Sequence, residues 1–283
     1  MAKFILLAET GADIPAEIAK EYGIYIAPMH VTFGSETRDD GSFDVSEVFS
    51  FYESTGTLTK TSGCTPEDFE TVLAQIRAEH PDSHIIYMAY SASTTCSYQS
   101  CVIASEGMDN ISLIDTKQVS AGQCLAVLKT ARYLRENPDV TVEQAVKFAT
   151  EISEKVHMGF FPGDLAYLKA GGRVSNAAYL GAKILSLNPL IEIRDGRLEG
   201  TKKYRGKMDN VAVQLYNEFV PQYNLDKKTM VFVYSKGLGE QLKKQLTDMA
   251  KQDGFEEVMW IMTGGVVSTH SGPAAFGVCG ISE

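Results

Sequence analysis

Apolar and polar residues follow one another along this chain in blocks that read, from the N-terminus, as strand, helix, strand. Residues 4–8 are a continuous apolar run, the pattern of a strand buried on both faces. The run ends in Glu9-Thr10-Gly11-Ala12-Asp13, and Asp13 is expected to cap a helix whose first turn contains Pro15. A second apolar segment over 24–33 stops at Gly34; a charged loop is expected over 36–42 and a helix over 46–52. Thr65 before Pro66-Glu67-Asp68 has the form of a helix N-cap with acids in the first turn. Phe69, Val72, Leu73 and Ile76 then make an i, i+3, i+4, i+7 stripe. Residues 84–90 predict a strand opening into the hydroxyl-rich loop 91–100, with a helix continuing through Val102 and Ala104. Another strand is predicted over 111–116, followed by a helix through Leu134 that Asn137-Pro138 breaks. Thr141-Val142-Glu143-Gln144 is a capping start for the next helix.

This alternation predicts an open sheet of parallel strands with right-handed crossovers, whose ligands bind at the carboxyl ends of the strands. The texture changes around Lys155. A helical turn ending at the Gly171-Gly172-Arg173 corner predicts a C-cap, and 189–193 with Asp195-Gly196 and 197–199 predicts a hairpin. A helix through Val211, Leu215 and Phe219 follows, then strands over 230–234 and 258–262 separated by a helix over 238–251. The expected fold class is α/β with two domains: an N-terminal one over 1–156, its parallel sheet flanked by helices, and a C-terminal mixed α/β one over 157–283.

Composition narrows the function. With 283 residues, 44% hydrophobic and 22% charged, the chain is an ordinary globular one able to bury a sizeable core. A net charge of −10 disfavours nucleic acid as partner, since phosphate contacts need a concentrated basic surface. The cysteines at 64, 96, 101, 124 and 279 are odd in number and irregularly spaced, which predicts neither a disulfide framework nor a structural zinc site. The apolar run at the N-terminus is too short for a signal peptide, and no run approaches membrane-spanning length. A cytoplasmic protein with reduced thiols and no stable membrane insertion is expected.

The chemistry-bearing stretches are three. Thr61 and Ser62 are expected on a loop feeding a helix, as a polar turn or as hydroxyls facing a ligand. The loop 91–97 would aim backbone N–H groups and a helix dipole at a carboxylate or phosphate, but it lacks the lysine and glycines of a nucleotide-binding loop. Near the C-terminus the apolar pair Val266-Val267 delivers Ser268, Thr269, His270 and Ser271 into a Gly272-Pro273 turn, expected at a strand-to-loop junction. A lone histidine in a turn is more often structural, so His270 gains meaning only if the other two stretches reach it. The stretch Thr201-Lys202-Lys203-Tyr204-Arg205-Gly206-Lys207 is the most basic, a solvated face or a guide for an anionic partner. Neither a metal cluster, nor a Rossmann fingerprint, nor a Gly-x-Ser-x-Gly elbow is present. Two readings stay open: a small-acyl ester hydrolase using Ser93 or Ser97 with His270, for which the spacing selects no aspartate, and a binding protein holding a polar head with apolar space behind it.

The motifs, taken in order, resemble the DegV family of bacterial fatty-acid-binding proteins. Ala8-Glu9-Thr10-Gly11-Ala12-Asp13-Ile14-Pro15 is similar to T-D-S-x-x-D-L-P, and Thr61-Ser62-Gly63-Cys64-Thr65-Pro66 with Phe69 to T-S-Q-P-S-P-x-x-F. Residues 91–100 resemble S-S-x-L-S-G-T-Y-Q-S, Asp115-Thr116 the family's I-D-S, and 167–175 Y-L-K-K-G-G-R-I-S. His270-Ser271-Gly272-Pro273-Ala274 resembles H-x-G-P-G. Thr95 stands where the family has serine, and Cys96 and Ala274 where it has glycine; these departures bear on chain length and affinity more than on the fold.

The resemblance implies a two-domain protein holding a long-chain fatty acid such as palmitate in a tunnel between its domains, with no cofactor and no metal. It implies a fatty-acid site at Thr61, Ser62, Ser93, Thr94, Thr95 and His270, with the hydroxyls of Thr61 and Thr95 on the carboxyl group. It implies a lipid-binding carrier rather than an enzyme. A separate ATP-dependent fatty acid kinase subunit would phosphorylate the bound acid for phospholipid synthesis, with Arg173 and Arg205 at the kinase contact. A third class, a DNA-associated regulator, is disfavoured by the pI near 5.1.

Overall fold

The computed structural model describes residues 3–174 and 187–283. Ser175, the last residue of the Gly-Gly-Arg motif, lies outside them. Strands β1 (Phe4–Glu9), β2 (Tyr25–Ala27), β6 (His84–Ala89) and β7 (Ile111–Asp115) form a four-stranded sheet in the order β2-β1-β6-β7, every pairing parallel. The unbroken apolar run of β1 has a simple cause: both faces of this sheet are covered. Leu6, Ala8, Ile86 and Met88 join one core, while Ile5, Leu7, Ile85 and Tyr87 join another on the opposite face.

The strands from Val156 onward build a second, six-stranded mixed sheet in the order β10-β9-β8-β13-β11-β12. They are β8 (Val156–Phe161), β9 (Leu187–Arg194), β10 (Arg197–Arg205), β11 (Thr229–Tyr234), β12 (Glu257–Met262) and β13 (Phe276–Ile281). One face packs on α8 (Met208–Gln222) and α9 (Glu240–Gln252) through Phe219, Phe232, Leu246 and Val278. The other face, with Met158, Val231, Val233 and Cys279, joins the same core as Leu6 and Met88 of the first sheet.

Between the two sheets runs α5 (Ser120–Glu136). It is buried over eleven residues, among them Cys124, Leu125, Val127 and Leu128, and polar Gln123 and Thr130 are buried with them. A helix enclosed on every side cannot show a narrow apolar stripe, and this one does not. At the outer face of the first sheet lie α3 (Pro66–Glu79), α4 (Ser97–Ala104) and α2 (Ser46–Thr55), together with a small antiparallel sheet. That sheet has the order β4-β3-β5, from β4 (Glu36–Asp39), β3 (His30–Phe33) and β5 (Lys60–Ser62).

Thr65 caps α3 as the sequence predicts, with Asp68 completing a capping box, and the expected capping start at Thr141 forms a second box with Gln144 on α6 (Val142–Lys155). Four local expectations are corrected. Residues 24–33 split at Pro28 into β2 and β3, which belong to different sheets. The charged loop over 36–42 is largely strand β4, whose side chains face water and so lack an apolar signature. Thr61 and Ser62 lie on strand β5, not on a loop. Asp13 does not cap α1 (Ala16–Tyr22), whose N-cap is Pro15; it turns inward with a left-handed φ of 53°. Among the described residues no helix is long and apolar enough to cross a membrane.

Replacing Thr141 by Ala removes one capping box far from the cavity described below. Urea denaturation should show a loss of about 1 kcal/mol with an unchanged m-value; a loss below a few tenths would mean the cap is idle.

Candidate ligand-binding site

The segment carrying His270 is a helix, α10 (Gly265–Ser271), rather than an apolar run at a strand-to-loop junction. Its start cannot be read locally because its N-cap, Gly264, has no side chain to offer. Distant carboxylates take over that role. Asp13 accepts the Gly264 N–H at 2.6 Å, and Asp40 accepts those of Gly265 at 2.7 Å and Val266 at 3.3 Å. Asp13 also takes the Ser120 hydroxyl at the start of α5, where Ser120 has a φ of 48°. Both carboxyls are pushed up by burial, and their backbone donors pull the other way.

From that anchor α10 runs for two turns and sets His270 against β5. Nε2 of His270 lies 2.8 Å from Thr61 Oγ1, and Thr59 Oγ1 of the same neighbourhood pairs with Thr269 Oγ1 at 3.0 Å. Among the described residues Nδ1 of His270 is buried without a partner, so it is the nitrogen that should lack the proton. Nε2–H then donates to Thr61, whose own hydroxyl hydrogen is left to point at a ligand. Burial, and after it the nearby Arg173 guanidinium, push the imidazole down to about 4. His270 is therefore neutral at pH 7.

A second hydroxyl is prepared in the same way. Ser97 Oγ accepts the Cys64 N–H at 3.1 Å, the Ser97 N–H donates to Thr95 Oγ1 at 3.3 Å, and the two hydroxyls lie 3.1 Å apart, where either can donate. With Ser97 as the donor, the Thr95 hydroxyl hydrogen is left to point into the cavity. Two glycines make these approaches possible. A Cβ on Gly63 would lie 2.3 Å from Thr95 Oγ1, and one on Gly171 would lie 2.1 Å from His270 Nδ1. Gly171 ends α7 (Leu165–Gly171), and Gly172 caps it in the left-handed conformation with a φ of 61°.

These groups border a cavity with about 800 Å³ of empty space, open solvent included. Thr61, Ser62, Thr94, Thr95 and His270 all line it, and so does Arg173. The remaining wall is largely apolar, with Val119, Met158, Leu168, Leu198 and Val233 drawn from the core between the sheets and at its edge. Ser93 is not on this wall. It is exposed, and its N–H donates to Ser91 Oγ, which in turn donates to the Gly196 carbonyl at the tip of the β9–β10 hairpin. Arg205 is exposed on edge strand β10, also away from the lining. Arg173 donates to the Gly171 carbonyl at 2.8 Å and lies close enough to Tyr90 and His270 to influence both. The cavity thus has a cation beside its hydroxyls. Glu9, in the first-strand motif, lies behind this wall rather than on it. It is fully buried and bonded by Tyr87, Tyr90 N–H and Gln123, and burial raises its carboxyl to about 7.

The arrangement suits holding an anion more than activating a nucleophile. A Ser–His–Asp catalyst needs the serine on the imidazole and an acid orienting the far nitrogen. Here Nε2 is engaged by Thr61, Ser97 is bonded to Thr95 and Cys64, and Nδ1 faces no acid. Among the described residues no group of three His, Cys, Asp or Glu could hold a metal ion.

The fold and this site define an α/β protein with two main sheets and a mostly apolar cavity bordered by hydroxyls, an imidazole and a guanidinium. A family model described as "Uncharacterised protein, DegV family" matches residues 3–283, and the chain belongs to the DegV family. A DegV domain-containing protein of Caldanaerobacter subterraneus is 25% identical over 290 residues, 98% of either chain. A fatty acid-binding protein of Thermotoga maritima is 24% identical over 283 residues, 97% of this chain and 96% of that one. Among solved structures, a fatty-acid-binding DegV family protein from Thermus thermophilus is similar with a TM-score of 0.88 at 22% identity, covering 99% of this chain and 100% of that one. A stearic acid-binding protein from Eubacterium ventriosum follows with a TM-score of 0.85 at 22% identity, covering 100% of this chain and 98% of that one. At these identities the structural likeness establishes the fold.

Gly171→Ala should push the His270 ring off Thr61. In the parent protein, NMR titration should place the His270 ring pKa near 4, with no protonation between about pH 5 and 8. In Gly171→Ala the ring should titrate closer to the ordinary histidine value of about 6.5. Identical titrations would show that Gly171 does not govern the ring.

Proposed function

We propose that this protein is a carrier of one long-chain fatty acid, binding the chain in the apolar cavity and the carboxylate at Thr61, Thr95 and His270. The observation that carries the reading is the convergence of the Thr61 and Thr95 hydroxyls and His270 on a cavity whose other walls are largely apolar. Relatives and similar structures named for fatty acid binding support it.

The energetics are consistent with such a ligand. Burying a palmitoyl-sized tail is worth a gross ~12 kcal/mol at about 0.8 kcal/mol per methylene. Ordering and association costs return part of it. A carboxylate taken out of water needs donors or must become neutral. Thr61 and Thr95 supply hydroxyls, and Arg173 adds charge that favours the ionised form.

In this reading the protein is itself no enzyme. The bound acid is offered to a separate kinase subunit that forms an acyl phosphate for phospholipid synthesis, and the protein acts in the cytoplasm. Arg205 and the basic strand β10 belong to the proposed kinase contact, outside the cavity. Arg173 is proposed for that contact as well, and its place on the cavity wall would bring the kinase close to the carboxyl group.

Denaturing mass spectrometry of the purified protein should release a fatty acid of roughly sixteen to eighteen carbons, the length used in the burial estimate. A lipid-free preparation that also ignores added palmitate would overturn the carrier reading. Thr61→Val with Thr95→Val should weaken palmitate binding by roughly tenfold to a hundredfold for each charge-assisted bond lost, with the fold retained by circular dichroism. Equal affinity would remove both hydroxyls from the site. Turnover of nitrophenyl esters that disappears in His270→Ala would instead favour the hydrolase.

A further inference from the structure

The residues that line the cavity do not account for why His270 sits where it does. Helix α10 is only seven residues long, too short to hold its own shape in water. Its N-cap contributes no side-chain bond. Three consecutive N–H groups, those of Gly264, Gly265 and Val266, instead end on two carboxylates from the N-terminal half of the chain. The reach is long: Asp13 and Gly264 are 251 residues apart, and Asp40 and Gly265 are 225 apart.

Both carboxylates are buried, Asp13 at 7% exposure and Asp40 at 6%. Burying two acids side by side is costly unless each oxygen is bonded, and each is. The backbone is shaped to receive them. A Cβ on Gly264 would lie 3.2 Å from an oxygen of either aspartate, and one on Gly265 would lie 2.9 Å from Asp40 and 2.5 Å from the Phe43 ring. Neither aspartate is among the residues lining the cavity, but Ser120, bonded to Asp13, is.

We propose that Asp13 and Asp40 are positioning residues of the ligand site, which fix the start of α10 and so hold His270 on Thr61. The two differ in how they can be replaced. Asp40 receives a backbone N–H on each oxygen, so Asn would turn an amide donor toward one of them. Asp13 receives one N–H and one hydroxyl, and that hydroxyl can rotate to accept from an amide. Asp13→Asn should therefore be tolerated, and Asp13→Ala should not.

The test uses the full-length protein and has a readout that needs no ligand. In the ligand-free protein, Asp40→Asn and Asp13→Ala should shift the NMR signal of the His270 ring, and Asp13→Asn should restore it. An unmoved ring signal in folded Asp40→Asn and Asp13→Ala would overturn the proposal. The second readout rests on the fatty-acid reading and uses palmitate. Asp40→Asn should weaken its binding on the order of tenfold, the effect of leaving one buried donor unmatched. In a His270→Ala background the same change should cost nothing further, because the effect runs through the ring. A full additional loss there would mean that Asp40 acts on the fold in general, and would equally overturn the proposal. If Asp40→Asn fails to fold, the Asp13→Ala and Asp13→Asn pair carries both readouts. Absence of palmitate binding in the parent protein would remove the carrier reading, while the ring signal still decides the role of the aspartates.

Discussion

The structure depends on a single shared apolar layer. Both sheets turn one face toward α5, and neither face could stay in contact with water: Leu6, Ile86 and Met88 on one side and Met158, Val231 and Val233 on the other meet around the same helix. Because that helix is surrounded, residues from both halves of the chain share one buried core. The layer also decides where a cavity can exist. At its edge the apolar wall continues, but the neighbours are β5 and α10, which bring hydroxyls and an imidazole. A site that is greasy over most of its surface and polar in one region follows from where the layer stops.

The polar region is put together from pieces remote in sequence, each held by something other than its own element. Thr95 is aligned by Ser97 and, through it, by the Cys64 backbone. His270 meets Thr61 across a separation of 209 residues. The loop after β6 is tied by Ser91 to the hairpin tip at Gly196, in the other sheet. None of these contacts is strong by itself, since a typical hydrogen bond contributes about 1 kcal/mol net. Together they leave the donors oriented before any ligand arrives, and preorganised donors are what an anion leaving water requires.

Much of this was legible in the sequence wherever the signal was local. The helix caps at Thr65 and Thr141, the apolar stripe of α3, the Asp195-Gly196 hairpin and the parallel β-α alternation are all short-range patterns, and they form as read. The failures share a physical cause. Asp13 stands just before Pro15 in a good capping context, yet its carboxylate serves a helix at the far end of the chain. Helix α10 looked like an apolar run because the groups that start it are not its neighbours. Strand β5 is three residues long and polar, and only pairing with β3 makes it a strand. In the site, Thr61, Ser62, Thr94, Thr95 and His270 reach one cavity, while Ser93, one residue from Thr94, points elsewhere. The spacing of a loop gives its composition, not the direction of each side chain. Arg173 on the cavity wall could have been suspected from its place after two glycines, since such corners let a chain come close to other groups.

Gly63 and Gly171 carry a consequence for how far this protein can be stabilised. Neither has the left-handed backbone that would exclude alanine, and Gly171 belongs to a helix, where alanine is favoured by about 1 kcal/mol. On chain entropy alone both are natural places to rigidify the fold. Each is nevertheless the floor on which a ligand-facing group rests, Thr95 in one case and His270 in the other. Helix propensity at Gly171 favours alanine, while the space its methyl would fill belongs to the buried imidazole. At these positions ruggedness and recognition are opposing demands on one missing methyl group.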